Sequence, residues 1–185
     1  PTAVPPARWP WLPLLVGLAV RESVVTVAGV EAVLKWPNDV LVAGRKLAGI
    51  LVERIDSESG AAAVVGVGIN VSLGADQLPT PEATSLLLAG ATTTDRTALL
   101  VDLLRRLESR YQAWLANGGD PDALRTDYVN ACATVGQQVR VAMPDGATLV
   151  GRAVGIDSAG RLEIDSDGER RAVGAGDVVH LQSGS

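Results

Sequence analysis

Residues 35–53 read KWPNDVLVAGRKLAGILVE, two β-rich runs on either side of a Gly44-Arg45 turn. Valine, leucine and isoleucine dominate both runs, and these residues fit the half-buried surface of a strand. The link between the runs is too short for a helical crossover, so the two strands must run antiparallel. The stretch therefore predicts a β-hairpin inside a largely antiparallel sheet.

Further strands extend this sheet in both directions along the chain. Turn-forming residues at 37–39 and 57–60 separate the hairpin from its neighbours, which are rich in β-forming residues. All the links are short, so consecutive strands are expected to be neighbours in the sheet. The predicted strands are residues 31–36, 40–42, 46–55 and 61–71.

Three segments show helical spacing of apolar residues. The first begins at Leu12 and is expected to end at Gly29. The second has Thr94 or Asp95 as its capping residue, and the third starts at residues 120–122, Asp-Pro-Asp, with an acid followed by proline. The apolar face predicted for the second helix consists of Leu100, Leu103, Leu104, Leu107, Tyr111 and Trp114.

The sequence becomes all-β after Val135. Short alternating runs follow one another, separated by glycine-containing turns at residues 144–146, 158–160 and 166–168. Five short strands in about fifty residues suit a small closed barrel. The predicted strands are residues 139–143, 148–156, 161–165, 170–173 and 178–181.

The whole pattern predicts an α+β fold in two domains. Residues 1–134 are expected to form a mixed, largely antiparallel sheet flanked by helices, and residues 135–185 the small all-β barrel. A chain of 185 residues is long enough for this arrangement. Hydrophobic residues make up 47% and charged residues 20%, a composition too apolar for disorder.

Charge and composition limit the partners of these residues. The net charge is -5 and no run of Lys or Arg offers a surface for nucleic acid. The apolar segment 11–20 is shorter than the ~20 residues that span a bilayer, so we expect no membrane partner and a cytoplasmic location. Cys132 stands alone and is predicted to be a buried thiol. His180 has no Cys or His at ligand spacing and is predicted to be structural.

Lys35 and Lys46 form the first candidate site. One lies at a strand end before a proline turn, and the other begins the next strand of the hairpin, so both are expected to face the same cleft. Two mobile ammonium groups suit an anion such as a phosphate or a carboxylate. Charge alone favours two solvated strand-end lysines, and residues 37–39, Pro-Asn-Asp, equally fit a simple turn.

A second candidate site is the Gly-Val-Gly-Ile-Asn stretch at residues 66–70. Glycine weakens a strand, so two glycines here indicate the close approach of a ligand or of another backbone. Asn70 offers both donor and acceptor groups to a phosphate or to a metal-bound water. The stretch is not a dinucleotide-binding fingerprint, since the third glycine is missing. A bend or bulge in the strand is the alternative.

Taken together, these segments closely resemble the biotin protein ligase family. The family signature Lys-Trp-Pro-Asn-Asp, Arg-Lys-Leu-Ala-Gly-Ile-Leu-Val-Glu and Gly-x-Gly-Ile-Asn appears in this order at residues 35–39, 45–53 and 66–70. Ala-Thr-Ser-Leu at residues 83–86 and the C-terminal barrel extend the resemblance over most of the chain from Leu12 onward. The resemblance implies a catalytic domain similar to class II aminoacyl-tRNA synthetases, followed by an SH3-like barrel.

The family resemblance implies a two-step reaction in one site. Biotin and ATP first give biotinyl-adenylate and pyrophosphate, and a substrate lysine then takes the acyl group. The implied cofactors are ATP and Mg²⁺, with biotin as substrate. The implied partner is the biotin carboxyl carrier domain of acetyl-CoA carboxylase or a related carboxylase.

Each matching position receives a role from the resemblance. Lys46 would lie between the biotin carboxylate and the α-phosphate and stabilise the charge that develops there. Asp39 would orient or help deprotonate the incoming lysine. Lys35 and Asn38 would support the nucleotide phosphates, and Asn70 would lie at the triphosphate and hold magnesium through water. Backbone and apolar walls around biotin would come from Gly49, Ile50, Leu51, Gly66 and Gly68.

The sequence departs from the family pattern before its first helix. In the family, a glycine- and arginine-rich loop precedes the region that matches residues 11–20 and closes over biotin and adenylate. This sequence has no such loop, so the working enzyme is expected to be longer than the chain shown. Two alternatives stay open. A lipoate protein ligase-like acyltransferase would perform the same kind of transfer, and a non-catalytic binding module would use the barrel to dock a partner.

Overall fold

A computed structural model describes residues 4–58, 60–143 and 146–181, and it confirms the α+β class. The turns predicted at residues 57–60 and 144–146 lie partly outside the described residues. The helices are α1 (Trp11–Ser23), α2 (Arg96–Ala116) and α3 (Asp122–Ala131). The strands are β1 (Val33–Lys35), β2 (Asp39–Val42), β3 (Arg45–Ser57), β4 (Gly60–Ile69), β5 (Gln138–Ala142), β6 (Thr148–Ile156), β7 (Leu162–Ser166), β8 (Glu169–Val173) and β9 (Asp177–His180).

The first sheet contains the predicted hairpin. Its strand order is β1-β2-β3-β4, and each neighbouring pair is antiparallel. Ala43 and Gly44 connect β2 to β3 with φ angles of 48° and 76°. Two successive positive φ angles give a turn whose twist matches that of the flanking strands, and glycine adopts the second without steric cost. The hairpin prediction is confirmed, but its turn lies at Ala43 and Gly44, one residue earlier than the predicted Gly44-Arg45 turn, and Arg45 begins β3.

A β-bulge interrupts the pairing of β2 with β3. Val40 pairs with Ala48 but Leu41 pairs with Lys46, so Leu47 is an extra residue on β3. Side chains alternate between the two faces of a strand, and in a regular ladder Leu41 would pair with Leu47. The bulge therefore brings Lys46 to the same face of the sheet as Leu41.

Helix α1 packs behind the first sheet as the central core helix. A π-helical turn, Val24–Ala28, continues it, and Gly29 ends it with a φ of 68°, as predicted. By length and composition alone, Trp11–Ala28 is apolar enough to cross a membrane, and 67% of it is buried inside the protein. A core helix needs apolar residues on most of its surface, and the burial accounts for this composition.

Helix α2 begins where its cap was predicted but buries a different face. Asp95 accepts hydrogen bonds from two backbone amides of the first turn. Leu103 and Trp114 are buried as predicted, whereas Leu100 and Leu104 are each 54% exposed. The prediction of one buried stripe is therefore corrected, because the two exposed leucines line an open groove between α2 and β4.

The second sheet follows α3 and has the strand order β8-β7-β6-β5-β9. All its neighbouring pairs are antiparallel. Val139 and Val141 are fully buried, as the alternating pattern predicted. Strands β8 and β9 lie at the two edges of this order.

A loop of the second sheet binds two tryptophans of the first part of the chain. Trp11 Nε1 donates to the carbonyl oxygen of Ser158 at 3.0 Å, and Trp36 Nε1 donates to that of Gly160 at 3.0 Å. Both indoles are buried. Because a buried indole N–H needs an acceptor, these contacts fix how the two sheets sit against each other.

We expect Gly151→Ala to destabilise the second sheet. A Cβ at Gly151 would lie 2.3 Å from the backbone oxygen of Asp165 and 2.7 Å from Ile164 Cγ2. Overpacking of this kind costs roughly 1–3 kcal/mol. Gly155→Ala, also in β6, is the matched control, since its Cβ would meet a flexible side-chain oxygen of Glu163 at 3.2 Å. Urea unfolding measures both variants, and equal losses of stability would contradict this expectation.

The stability of the folded chain is expected to depend on pH through His180. Burial and the Lys35 ammonium lower the pKa of His180 from its ordinary value of 6.5. Between the lowered and the ordinary pKa the unfolded chain binds more protons, so the free energy of unfolding falls as the pH decreases through this window. His180→Gln does not titrate and should show a weaker dependence below about pH 6.5. Parallel pH profiles in chemical unfolding would exclude this role.

Candidate functional site

One face of the first sheet collects most of the residues selected from the sequence. Asp39 pairs with Gly49, and Gly49 pairs with Gly68, so the three form a row across β2, β3 and β4. Cross-strand partners lie on the same face, and the bulge adds Lys46 to it. We call this surface the glycine face, defined by Asp39, Lys46, Gly49, Leu51, Gly66 and Gly68.

Lys46 and Asp39 form an ion pair on the glycine face. Lys46 Nζ lies 2.5 Å from Asp39 Oδ1. The Lys46 side chain is 48% exposed and the Asp39 side chain 16%, so the ammonium remains open to an incoming group. Asp39 Oδ1 is covered and accepts no hydrogen bond of ordinary geometry from the described residues. The ammonium therefore supplies the compensating charge for this oxygen.

Gly49 lies directly beneath the ion pair. A Cβ at this position would lie 3.4 Å from Lys46 Cε, 3.5 Å from Lys46 Nζ and 3.8 Å from Asp39 Oδ1. A side chain larger than a methyl group would therefore displace the ammonium. The absence of a side chain at Gly49 allows Lys46 to lie down across β3 and reach the carboxylate of the neighbouring strand.

Gly66 and Gly68 leave the neighbouring part of this face open. A Cβ at Gly68 would meet nothing within 4 Å, and one at Gly66 would meet only Leu51 atoms, the nearest at 3.8 Å. The β3–β4 register is regular along its whole length, so neither glycine marks a bulge. The open space above them favours the close approach of a ligand. Leu51 is 60% exposed and adds an apolar side chain to the face.

Ile50 is the exception among the predicted biotin contacts. Its side chain points to the opposite face of β3, where it is 2% exposed and lies beneath Gly17 of α1. Asn38 occupies both its backbone amide and its backbone carbonyl. The prediction for Ile50 is therefore corrected: alternation along β3 makes it a support behind the sheet and not a wall of the glycine face.

Asn38 and Asn70 clamp the backbone around this face. Asn38 Nδ2 donates to the carbonyl oxygen of Ile50 at 2.8 Å, and Ile50 N donates to the carbonyl oxygen of Asn38 at 2.9 Å. Asn70 Nδ2 donates to the carbonyl oxygen of Thr84 at 3.0 Å. Among the described residues, each of these two side-chain amides uses one N–H in this way. Its second N–H and its carbonyl oxygen remain available to a ligand. The clamp and the predicted phosphate contact are therefore compatible.

Lys35 and Lys46 lie on opposite sides of Asp39. Lys35 pairs with Asp39 across β1 and β2, so the carboxylate has one lysine on each neighbouring strand. The Lys35 ammonium also acts on His180. Burial is the main cause that lowers the pKa of His180, and this ammonium lowers it further. Two cations around one carboxylate leave a net positive charge, which suits a phosphate or a carboxylate ligand.

The lysines carry a signal that sequence reasoning missed. The chain has 16 Lys and Arg residues, and Lys35 and Lys46 are its only lysines. Everywhere else the chain uses the planar, forked guanidinium of arginine. A compact ammonium on a flexible stem differs from it in size and in hydrogen-bond geometry. The restriction of lysine to these two positions is the pattern expected of a site that uses the smaller cation.

Residues 82–84 hold Lys46 by its backbone. Lys46 N donates to the carbonyl oxygen of Glu82 at 2.9 Å, and Thr84 N donates to the carbonyl oxygen of Lys46 at 2.8 Å. Residues 83–86 matched the family pattern in the sequence, but no role was predicted for them. The available signal was the adjacent hydroxyls of Thr84 and Ser85, both buried here, because buried hydroxyls need hydrogen-bond partners.

The described residues contain no group of three or more His, Cys, Asp or Glu side chains able to hold a metal ion. Mg²⁺ is often held by one or two carboxylates together with substrate phosphates. Near the ion pair, the oxygen donors are the Asp39 carboxylate, already paired with Lys46, and the amide of Asn70. These donors fit a magnesium ion that arrives with a nucleotide.

A cavity of about 540 Å³ lies on the other face of the sheet, between β4, α1 and α2. It shares no lining residue with the glycine face, and Glu108 is the one charged residue among those that line it. A carboxylate repels the anions that the lysines attract. The glycine face, which carries Lys46, therefore suits an anionic substrate better than this cavity does.

Two family models match this chain. The model described as the Biotin/lipoate A/B protein ligase family matches residues 4–70. The model described as the Biotin protein ligase C terminal domain matches residues 134–181. The first match contains the glycine face, and the second contains the second sheet.

Two relatives and one solved structure that are similar to this chain are also biotin ligases. The biotin acetyl-CoA-carboxylase ligase of Mycobacterium tuberculosis is 44% identical over 97% of this chain and 65% of its own length. The ligase of the same name from Paracoccus denitrificans is 32% identical over 90% of this chain and 71% of its own length. The biotin protein ligase of Aquifex aeolicus, in complex with biotin and ATP, has the same fold, with a TM-score of 0.76 and 24% identity over 94% of this chain and 72% of that chain.

The chain spans only part of these proteins. It covers 65% of the Mycobacterium tuberculosis ligase and 54% of the bifunctional ligase/repressor of Bacillus spizizenii. Within this span the glycine face, the lysine pair and the second sheet fall inside the matched regions. The chain belongs to the biotin protein ligase family.

Proposed function

We propose that the protein activates biotin with ATP and transfers the biotinyl group to a lysine of a carboxylase carrier domain. The Lys46–Asp39 ion pair on the glycine face carries this proposal. An exposed ammonium beside a largely buried carboxylate offers the two charges that the two steps need. The solved Aquifex aeolicus relative that binds biotin and ATP supports the choice of substrates.

In the first step, a carboxylate oxygen of biotin attacks the α-phosphorus of ATP. The bond from that phosphorus to the bridging oxygen breaks, and pyrophosphate leaves biotinyl-adenylate behind. Both reactants are anions, so a cation between them lowers the barrier. Lys46 is exposed enough to leave Asp39 and bind both groups. Lys35 and Asn38 support the remaining phosphates.

The glycine face holds biotin for this attack. Gly66 and Gly68 present backbone without side chains, so a flat ring system can lie against the strands. Leu51 supplies apolar contact beside them. Magnesium, when bound with ATP, neutralises phosphate charge, and Asn70 would hold one of its waters through the amide oxygen.

In the second step, the carrier lysine attacks the acyl carbon of biotinyl-adenylate, an amide bond forms and AMP leaves. The amine must first lose a proton, because its unperturbed pKa is ~10.4. While Lys46 is bound to the adenylate phosphate, Asp39 loses its partner, so its carboxylate can bind this ammonium group and accept its proton. One carboxylate thereby holds Lys46 before the reaction and orients the acceptor during transfer.

A lipoate ligase is the second candidate. The family model that matches residues 4–70 includes lipoate ligases as well as biotin ligases. Calorimetric titration of the purified protein with biotin and with lipoate separates the two. Binding of biotin supports the proposal, and binding of lipoate alone would replace it. Binding of neither compound would favour a non-catalytic module.

We expect Lys46→Ala to slow biotinyl-adenylate formation by orders of magnitude. A cation positioned where charge develops contributes several kcal/mol to the transition state, and each ~1.4 kcal/mol is tenfold in rate. Lys46→Arg should also fail, because the guanidinium does not fit the space above Gly49. Arg45→Ala is the matched control, since that guanidinium donates to the carbonyl oxygen of Pro81. Pyrophosphate release is the measurement, and near-normal release by folded Lys46→Ala would remove Lys46 from the site.

We expect Asp39→Asn to affect the two steps unequally. Transfer should fall by about 10²-fold or more, the usual contribution of a positioned base. Adenylate formation should fall much less, since the variant loses only the partner that holds Lys46 at rest. Single-turnover assays measure each step, with preformed biotinyl-adenylate for the second. Equal losses in both steps would show that Asp39 only holds Lys46. No loss in either step would show that Asp39 is only a turn residue.

A further inference from the structure

We propose that Thr134 is a positioning residue that fixes Lys35 for nucleotide binding by holding the backbone of Trp36. The assignment of Lys35 to the nucleotide rests on the proposed function, whereas the contacts of Thr134 stand on the structure alone. Thr134 lies between α3 and β5, where the chain passes from the first part of the fold to the second sheet. It touches neither the ion pair nor the glycines.

The side chain of Thr134 completes the outer edge of β1. Leu34 forms a parallel bridge with Cys132, and Ala133 N donates to the carbonyl oxygen of Leu34 at 2.8 Å. Every second residue of a strand directs its backbone N–H and C=O to the same edge. After Leu34, the next residue whose backbone faces this segment is therefore Trp36. Trp36 N donates to Thr134 Oγ1 at 3.1 Å. Here a hydroxyl takes the place of a backbone carbonyl.

The hydrogen bond acts on the peptide group that joins Lys35 to Trp36. Thr134 is fully buried, and a buried amide without an acceptor is unfavourable, so the contact strongly favours one orientation of this peptide. The indole of Trp36 is held as well, since its Nε1 donates to the carbonyl oxygen of Gly160. Trp36 is thus fixed at backbone and side chain, and Lys35 before it takes its position from these contacts.

The loop that accepts the Trp36 indole is itself well ordered by hydrogen bonds. Asp157 Oδ1 accepts from the backbone amides of Ala159 and Arg161, both at 2.9 Å, and Asp157 Oδ2 accepts from Arg161 Nε at 2.7 Å. Burial by itself would raise the pKa of Asp157, but these hydrogen bonds lower it. The carboxylate therefore stays charged at neutral pH and keeps the loop closed around the acceptor.

His180 holds Thr134 from the side of the second sheet. His180 Nε2 lies 3.1 Å from Thr134 Oγ1. Because Thr134 accepts from Trp36 N, its single hydroxyl hydrogen can be donated to the ring nitrogen of a neutral imidazole. Thr134 therefore connects β9 to the peptide group after Lys35, and the docking of the second sheet sets the position of this cation.

The test compares Thr134→Val with Thr134→Ser in the full-length protein. Valine keeps the shape and removes the acceptor, whereas serine keeps the hydroxyl. We expect valine to raise the KM for ATP about tenfold and to leave the KM for biotin unchanged. This is less than the ~10²-fold cost of a misplacement of about 1 Å, because Thr134 acts on Lys35 only through the Trp36 peptide. Serine should restore the KM for ATP. Pyrophosphate release measures both constants.

A second background shows whether Thr134 acts through Lys35. In Lys35→Ala, Thr134→Val should raise the KM for ATP no further, because the group that it positions is gone. Ser23→Ala is the control for the loss of a buried hydroxyl, since Ser23 Oγ donates to the carbonyl oxygen of Leu99 at 3.2 Å, far from Trp36 along the chain. An equal rise in both backgrounds, or the same rise in the Ser23 control, would overturn the positioning role.

Amide hydrogen exchange gives a readout that does not depend on activity. We expect the Trp36 amide to exchange faster in Thr134→Val than in the wild type or in Thr134→Ser. If the wild-type protein releases no pyrophosphate with biotin and ATP, the proposed function fails, and this exchange alone decides the role of Thr134. Unchanged exchange at the Trp36 amide in Thr134→Val would refute the positioning role of Thr134, whether or not the wild-type protein releases pyrophosphate.

Discussion

The attraction between the Lys46 ammonium and the Asp39 carboxylate is the interaction on which the site depends. It forms because a single extra residue on β3 brings Lys46 to the face that carries Asp39. Gly49 then leaves the space in which the lysine side chain lies down. A ladder without the bulge, or a side chain larger than a methyl group at Gly49, would separate the two charges. In the proposed function, the open glycines of β4 bind substrate beside a cation placed in this way.

The second sheet contributes to this site from a distance. It contains none of the residues of the glycine face, yet Gly160 accepts a hydrogen bond from the Trp36 indole. His180 of β9 also contacts Thr134, which accepts a hydrogen bond from the Trp36 backbone at the end of β1. The turn at residues 36–38 lies between the two lysines of the chain, so its position sets their separation. The region that a separate family model matches, residues 134–181, therefore has a proposed role in supporting the candidate site.

The sequence was sufficient for features that depend on local chemistry. The hairpin, the end of α1 at Gly29 and the cap at Asp95 all follow from residues next to one another and are confirmed, although the hairpin turn lies one residue earlier than predicted. Features that depend on register were not predictable. The bulge at Leu47 and the turning of Ile50 to the core depend on which residues pair across strands. The buried face of α2 depends on the groove that it forms with β4.

The location of the substrate site is the central claim, and backbone amide chemical shifts of the isotope-labelled protein during a biotin titration test it most directly. We expect the largest changes at Gly49, Gly66 and Gly68 on the exposed face of the first sheet. Changes confined to the cavity on the other face, around Leu12 and Tyr111, would contradict the assignment of the site to the glycine face.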